Sequence, residues 1–547
     1  MDITNCRSME LFNRLGISQG LREQGVDQNF SFDVIASTGL SDGGECIAKW
    51  DLPSPDAWRA IMKAHNDGSL PREPYQRCSQ VMFEAWLKPR IKVEPHIDSH
   101  FGLEFESLIE VEDAVESTLT NSITGETHIV SSQYVVGCDG AGSRVRKAIR
   151  AELIGGSFSV ALLLVHFKSR DLSILQKQGQ FWHIFFTSGG TVIAQDEVDT
   201  WTVHKPIPLD ADWQKLDPEE AIYEVLGGSI SPCPIKVDQI LVTSCWRPNI
   251  SIADRYISSS GRIFIAGDAA HQIVPTGGYG MNTAIGDSFD IGWKLAAVLH
   301  GYGGKHLLYA YEKERMPVAV RNIERSMVHW NVLDEFDQIA QNAGSHTLSS
   351  ASEEGKQLRA RIAEYFLSHD GENKDQGIEM DYRYNKSPIV VPDLEALEPS
   401  WSPRRYTPST WPGARVPHVF LADGNTSIYD KFGRGYTIVD FSKDGHWATE
   451  FAKVAARQKV PLRTVRLPQE KHAAQIWERN AVLVRPDDHV AWRAPANSDA
   501  HVSVEEILKI ATGRDGINIQ LNDANNDLLE AIRCYDFTSP VTVSNFL

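Results

Sequence analysis

Apolar residues recur at helical spacing in some stretches of this chain and at strand spacing in others. Met9, Leu11, Phe12, Leu15 and Ile17 predict a helix over residues 6–24. Val81, Met82, Ala85, Trp86 and Leu87 predict another over 77–90. Tyr134, Val135 and Val136 form a short apolar run that predicts a buried strand. Between 157 and 250, apolar stretches (157–167, 180–186, 191–194, 201–204) alternate with polar turns, which predicts a β-layer inserted between two halves of another domain. Residues 262–266 predict a second buried strand. Ile285, Phe289, Trp293, Leu295, Ala296 and Leu299 then predict a helix over 280–300. A further helix begins at 305 and is expected to kink or end near Pro317.

The pattern loosens after that. Residues 341–355 are rich in Ser, Glu, Asn and Gly and read as a loose connection. Pro388, Pro392, Pro399, Pro403, Pro408 and Pro412 mark a linker rather than a packed element. A fresh α/β alternation follows from 413. The expected organisation is an α/β domain in two parts, 1–150 and 256–340, around a β-rich substrate layer, 151–255. A helical, proline-rich linker, 341–410, then leads to a separate α/β domain, 411–547.

Composition narrows the function classes. The 547 residues are 42% hydrophobic, enough for several cores, and carry a net charge of −18. Phosphate backbones require clustered Lys and Arg, so a nucleic-acid partner is not expected; nor is a membrane, because the longest apolar run, near 160–165, is too short to span one. The cysteines Cys6, Cys46, Cys78, Cys138, Cys233, Cys245 and Cys534 form no CxxC or metal-like pair, so reduced thiols, a cytoplasmic location and no metal are expected.

Candidate chemistry sits at the ends of the two predicted strands. The first leads into Gly137-Cys138-Asp139-Gly140-Ala141-Gly142-Ser143-Arg144-Val145-Arg146. The second leads into Gly267-Asp268-Ala269-Ala270-His271 and on to Pro275-Thr276-Gly277-Gly278-Tyr279-Gly280-Met281-Asn282. A strand delivers Asp268 to the carboxyl edge of a sheet, where a carboxylate can accept hydrogen bonds from ribose or ribityl hydroxyls. Gly277, Gly278 and Gly280 let the backbone approach a flat ligand with no Cβ in the way. The helix that starts there offers free N–H groups and a positive dipole end to a developing negative charge, such as that of a reduced flavin. Arg144 and Arg146 are open between a phosphate and a structural ion pair.

Both motifs closely resemble those of FAD-dependent aromatic monooxygenases, specifically the phenol 2-monooxygenase and 2,4-dichlorophenol hydroxylase branch. Arg77-Cys78-Ser79-Gln80-Val81-Met82-Phe83-Glu84 resembles that branch's FAD-contacting helix start, with Gln80 towards the cofactor. The segment from Trp411, WPGARVPHVFLADGNTSIYDKFGRGYTIVDF, and that from Leu483, LVRPDDHVAWR, resemble its thioredoxin-like C-terminal domain. With no CxxC, that domain is expected to be structural or dimer-forming, and a homodimer is one option.

The resemblance implies an α/β fold: a doubly wound FAD-binding domain, an inserted β-sheet substrate layer and a thioredoxin-like C-terminal domain. It assigns FAD to Asp268, Gly267, Pro275, Gly278, Gly280, Met281, Asn282, Asp139, Gly140, Gln80 and Arg77, with Pro275, Gly277 and Gly278 bordering the flavin face. No individual catalytic residue is assigned. The implied reaction is hydroxylation of a phenolic or polyketide-type aromatic by O₂ through a C4a-hydroperoxyflavin, with NADPH or NADH as transient co-substrate, in secondary metabolism. The pocket is expected to draw on the β-layer, with Trp182, His183, Trp201 and His204 as candidates.

One departure stands out. The chain starts at what resembles the helix after the initial strand–GxGxxG–helix unit, so the FAD domain is expected to be truncated, with two interior sheet edges left open. The accounts are a reading frame that starts upstream of Met1, which is preferred, a natural truncation, or a partner that supplies the unit. Two other functions stay open: a catalytically silent flavin-fold protein that binds an aromatic or a partner enzyme, and a Baeyer–Villiger-type or epoxidising monooxygenase. Milder departures are Val274 in place of a second proline and Asp290 in place of Asn.

Overall fold

The structure, a computed structural model, describes residues 2–496, 503–516 and 524–533. Cys534 lies outside the described residues, as does part of the expected 411–547 domain. The largest sheet has seven strands in the order Gln239–Trp246, Ala161–Lys168, Thr200–Ile207, Thr191–Ala194, His183–Phe186, Val34–Ser37, Cys46–Trp50. Burial alternates strictly along Ala161–Lys168, the signature of a strand with one face in a core. That core joins Leu163, Val165, Phe167, Ile184, Val192 and Val203 to Ile222, Val225 and Leu226 of the helix Pro218–Gly227. The expected layer is there, but it is completed by two strands from the first fifty residues. Val34–Ser37 enters as the sheet's only parallel partner, beside His183–Phe186.

The two motif strands, Val135–Gly137 and Ile263–Ile265, pair directly in parallel register. Two interior edges were expected; of these two strands, only Val135–Gly137 lacks a second neighbour among the described residues, because Ile257 bridges to Phe264 on the other side. The helices Tyr279–Leu299 and Lys305–Ala343 pack with these strands.

Several expectations are corrected. The helix expected over 6–24 is two helices, Cys6–Arg14 and Ser18–Arg22, separated at Gly16, whose φ of +74° suits glycine. Gln80–Val93 is helical, capped by Ser79, but buries no residue: Val81 is 70% exposed. Lys305–Ala343 runs 39 residues and does not end at Pro317. The expected loose connection contains the start of the helix Glu353–Ser368, which buries Leu358, Ile362 and Phe366. A three-stranded meander, Leu103–Val111, Ala114–Asn121 and Thr127–Ser132, was not foreseen.

The C-terminal part carries a four-stranded sheet in the order Leu462–Arg466, Tyr436–Asp440, Ala481–Val484, Val490–Arg493, with one parallel pair. It docks on the rest of the chain through buried ion pairs. Arg415 Nε donates to Glu10 at 2.7 Å and Arg485 Nη1 to Glu314 at 2.6 Å.

Candidate functional site

Strand Ile263–Ile265 ends in a tight turn, Gly267–Ala269, with Gly267 at φ +60°. A Cβ there would lie 3.1 Å from that of Ala284, so glycine lets the turn sit against the following helix. The turn leaves Asp268 exposed at the end of the strand, with no hydrogen bond or ion pair to a described residue. Beneath it lies a group the motif reading missed. The fully buried Asp287 accepts from Gly267 N at 3.2 Å, pairs with His271 Nε2 at 2.6 Å and accepts from Arg315 Nε at 2.8 Å. Burial alone would raise the Asp287 carboxyl. His271 and Arg315 overcome this and hold it down to about 2. A buried Asp in the middle of a helix was the available signal, because such a group demands partners.

Pro275 is exposed, and the bend Thr276–Gly278 after it is buried. Gly277 and Gly278 sit at φ +78° and +67°, which explains both glycines. Gly277 N donates to Glu372 Oε1 at 2.8 Å, and Thr276 Oγ1 to the Ser326 carbonyl at 2.7 Å. A Cβ on Gly278 would lie 2.6 Å from Ile3. The helix Tyr279–Leu299 opens here, so the first-turn amides around Gly280, half-buried Met281 and Asn282 lack helical acceptors. The Asn282 side chain staples the N-terminal segment: it accepts from Asn5 N at 3.0 Å and donates to the Ile3 carbonyl at 3.1 Å.

The Asp-Gly motif makes several contacts within the protein. Asp139 accepts from Arg144 N at 2.7 Å and Val145 N at 3.1 Å, closing the start of the helix Arg144–Ala148; Gly140 follows it at φ +77°. Arg146 donates to the carbonyls of Ala269, at 2.9 Å, and Ala141, at 2.8 Å, and so ties the two motifs together. Arg144 reaches Glu104 at 2.6 Å. Both arginines thus make contacts within the protein. Arg77 sits in the interior. It is fully buried, paired with Glu197 at 2.6 Å and bonded to the Ala194 carbonyl, with its guanidinium over Phe32 and Trp182. Its Nε has no hydrogen-bond partner among the described residues. Gln80 is exposed and bonds to Glu84 at 3.0 Å, so these described residues place it on a solvent face.

A cavity of about 500 Å³ opens beside the bend. Pro275, Thr276 and Glu372 form one end. Phe185, Ile193 and His204 of the large sheet and Trp330 and Asp337 of the long helix form its sides. Of the aromatic candidates, His183 and His204 reach it. Trp182 and Trp201 are buried elsewhere, donating to Asp2 and to the Ser169 carbonyl. Burial lowers His204 to about 4 and raises Glu372, Asp334 and Asp337. A separate cluster of Asp290, Glu314 and Asp487 already holds its cations: Lys294 Nζ lies 2.6 Å from both Asp290 and Glu314, and Arg485 2.7 Å from Asp487.

A family model described as an FAD binding domain matches residues 2–326, and one described as the C-terminal part of aromatic-ring hydroxylases matches 409–514. The chain belongs to the FAD-dependent aromatic-ring hydroxylase family. This hydroxylase is 46% identical over 534 residues to the FAD-dependent monooxygenase apdD of Emericella nidulans, covering 95% of this chain and 84% of that one. It is 29% identical to a 2,4-dichlorophenol 6-monooxygenase of Cupriavidus pinatubonensis over 94% of this chain and 90% of that one. Its fold matches the flavin-dependent monooxygenase PieE in complex with FAD and substrate with a TM-score of 0.80 at 28% identity, over 93% and 91% of the two chains. The mixed α/β fold and the C-terminal hydroxylase domain are therefore those of the family. Among the described residues no helix is long and apolar enough to cross a membrane.

The residues of the bend fit a flavin. They are an exposed carboxylate without a partner, a positive-φ glycine pair with no Cβ, and the open amides of a helix start, all within fifteen residues of one another.

Proposed function

We propose that this chain is an FAD-dependent monooxygenase that hydroxylates a phenolic or polyketide-type aromatic metabolite with NAD(P)H and O₂. Asp268, the Gly277–Gly278 bend and the amides of Gly280 to Asn282 would hold the flavin end of FAD, with Pro275 bordering its face. When bound, FAD supplies the redox chemistry that activates O₂. The observation that carries the reading is the cavity: its end wall, Pro275 and Thr276, runs directly into the glycine bend. The protein's own tasks are then to enclose the aromatic, exclude water and fix its ring against the bend. The related chains named above are monooxygenases, one of them acting on a dichlorophenol by its name, which supports this substrate class.

The test is reconstitution. The purified chain, given FAD, should show flavin absorbance, oxidise NADPH faster when a phenol is added, and release a product heavier by one oxygen atom. Flavin absorbance that washes away at saturating FAD, with no phenol-stimulated oxidation, would overturn the proposal.

A further inference from the structure

Among the described residues, no lysine or arginine lines the cavity. It has carboxyl groups instead: Asp334 and Asp337, one turn apart on the long helix, and Glu372 beside the glycine bend. Its imidazoles, His183 and His204, are both shifted by burial towards the neutral form. No fixed positive charge waits there for an anion.

Glu372 is the best-defined of these groups. It is 6% exposed. Its Oε1 accepts the Gly277 N–H at 2.8 Å, while its Oε2 is buried without a hydrogen-bond partner. The segment that carries it lies hard against the long helix, since a Cβ on Gly371 would come within 2.9 Å of Arg325 and 3.0 Å of His329. His329, whose charge opposes the effect of burial on the Glu372 carboxyl, is shared with Asp375. Asp375 pairs with Arg325 and lies 3.4 Å from His329, whose Nε2 also meets the Tyr279 hydroxyl at 3.1 Å. Glu372 thus keeps one oxygen fixed to the glycine bend and the other buried and unsatisfied, on a residue that lines the cavity.

A buried acceptor without a donor is costly, and a ligand hydroxyl would remove that cost. A ligand carboxylate would instead lose its hydration beside further carboxyls, with no cation to receive it. We propose that this cavity takes a neutral phenol, receives its hydroxyl proton in a hydrogen bond at Glu372 Oε2 beside the glycine bend, and refuses aromatic carboxylates. The inference rests on reading the cavity as the substrate chamber. It adds the charge class of the substrate and the residue that selects it.

The full chain can be tested with three matched fluorescent probes: a hydroxynaphthamide, its methyl ether, and the hydroxynaphthoate of the same substitution. At neutral pH the hydroxynaphthamide should bind on the order of tenfold more tightly than the naphthoate, because an uncompensated charge is the difference between them. It should also bind several-fold more tightly than its methyl ether, which has no proton to give. Glu372→Gln keeps an acceptor for Gly277 N and should erase the preference for hydroxyl over ether while leaving the ether's Kd unchanged. Loss of both ligands to the same degree would mark Glu372 as merely structural and overturn the proposal, as would a naphthoate that binds as well as the amide. If no probe binds but phenols drive flavin turnover, this inference falls and the proposed function stands. If the hydroxyl preference is seen in a chain that takes no FAD, the reverse holds.

Discussion

Asp287 shows how much of the site lies outside the motif residues. Its carboxylate joins the backbone of the Gly-Asp turn to a histidine from the motif and an arginine from the next helix. Removing one partner of such a buried set leaves the others uncompensated, so Asp287→Asn should cost about 3–5 kcal/mol of stability, read as a lower urea midpoint at neutral pH. The pH dependence has a definite sign. The folded carboxyl is held at about 2 against an ordinary 3.8, so its contribution is present above pH 4 and is lost as pH falls towards 2. His204, lowered by burial from 6.5 to about 4, adds a loss over the window from 6.5 to 4. In Asp287→Asn the lower window should become shallower, because Glu10 and Glu314, also held at about 2, still titrate there, while the upper one persists; a variant that keeps the full acid slope would refute the assignment. The local motifs made Asp268, Gly277 and Gly278 legible because those residues answer to backbone geometry. They could not show that Arg77 is sequestered by Glu197, a partner 120 positions away that no local pattern encodes.

Among the elements, periodicity located most helices and misjudged their ends. The long helix passes Pro317 although an interior proline costs about 3 kcal/mol; Met316, Val318, Ala319 and Val320 are all buried around it, and that packing outweighs the lost hydrogen bond. The strand Leu103–Val111 was hidden because its register shifts between Phe105 and Ser107, which breaks the alternation. The helix Glu353–Ser368 was lost in a polar surround, yet it closes the core beneath the large sheet. Phe366 stacks on Trp50 at 4.0 Å and 9°, and its carbonyl accepts from the Trp50 indole at 2.8 Å. Phe366→Ala should therefore cost about 3–5 kcal/mol, as for other large core truncations. A change below about 1 kcal/mol in chemical unfolding would mean that this helix is a loose connection after all.

Across the whole molecule, the two matched regions are joined by charge as well as by apolar packing. Glu10, on the first helix, is fully buried between Arg415 of the C-terminal region and Arg7, which also reaches Asp488 at 3.4 Å. Burial would raise the Glu10 carboxyl, but Arg415 and Arg7 hold it at about 2. Nothing along the chain announces this pair, whose members stand 405 positions apart. Two charges withdrawn from water gain little net stability over an apolar pair of similar shape, whereas one charge left alone is expensive. Arg415→Met should thus lose about 3–5 kcal/mol, and adding Glu10→Leu should recover most of it. Urea unfolding of the single and double variants measures the coupling. If the double variant were as unstable as the single, the pair would be holding the C-terminal region in place in a way that apolar contact cannot replace, and the interface would owe its stability to charge rather than to packing.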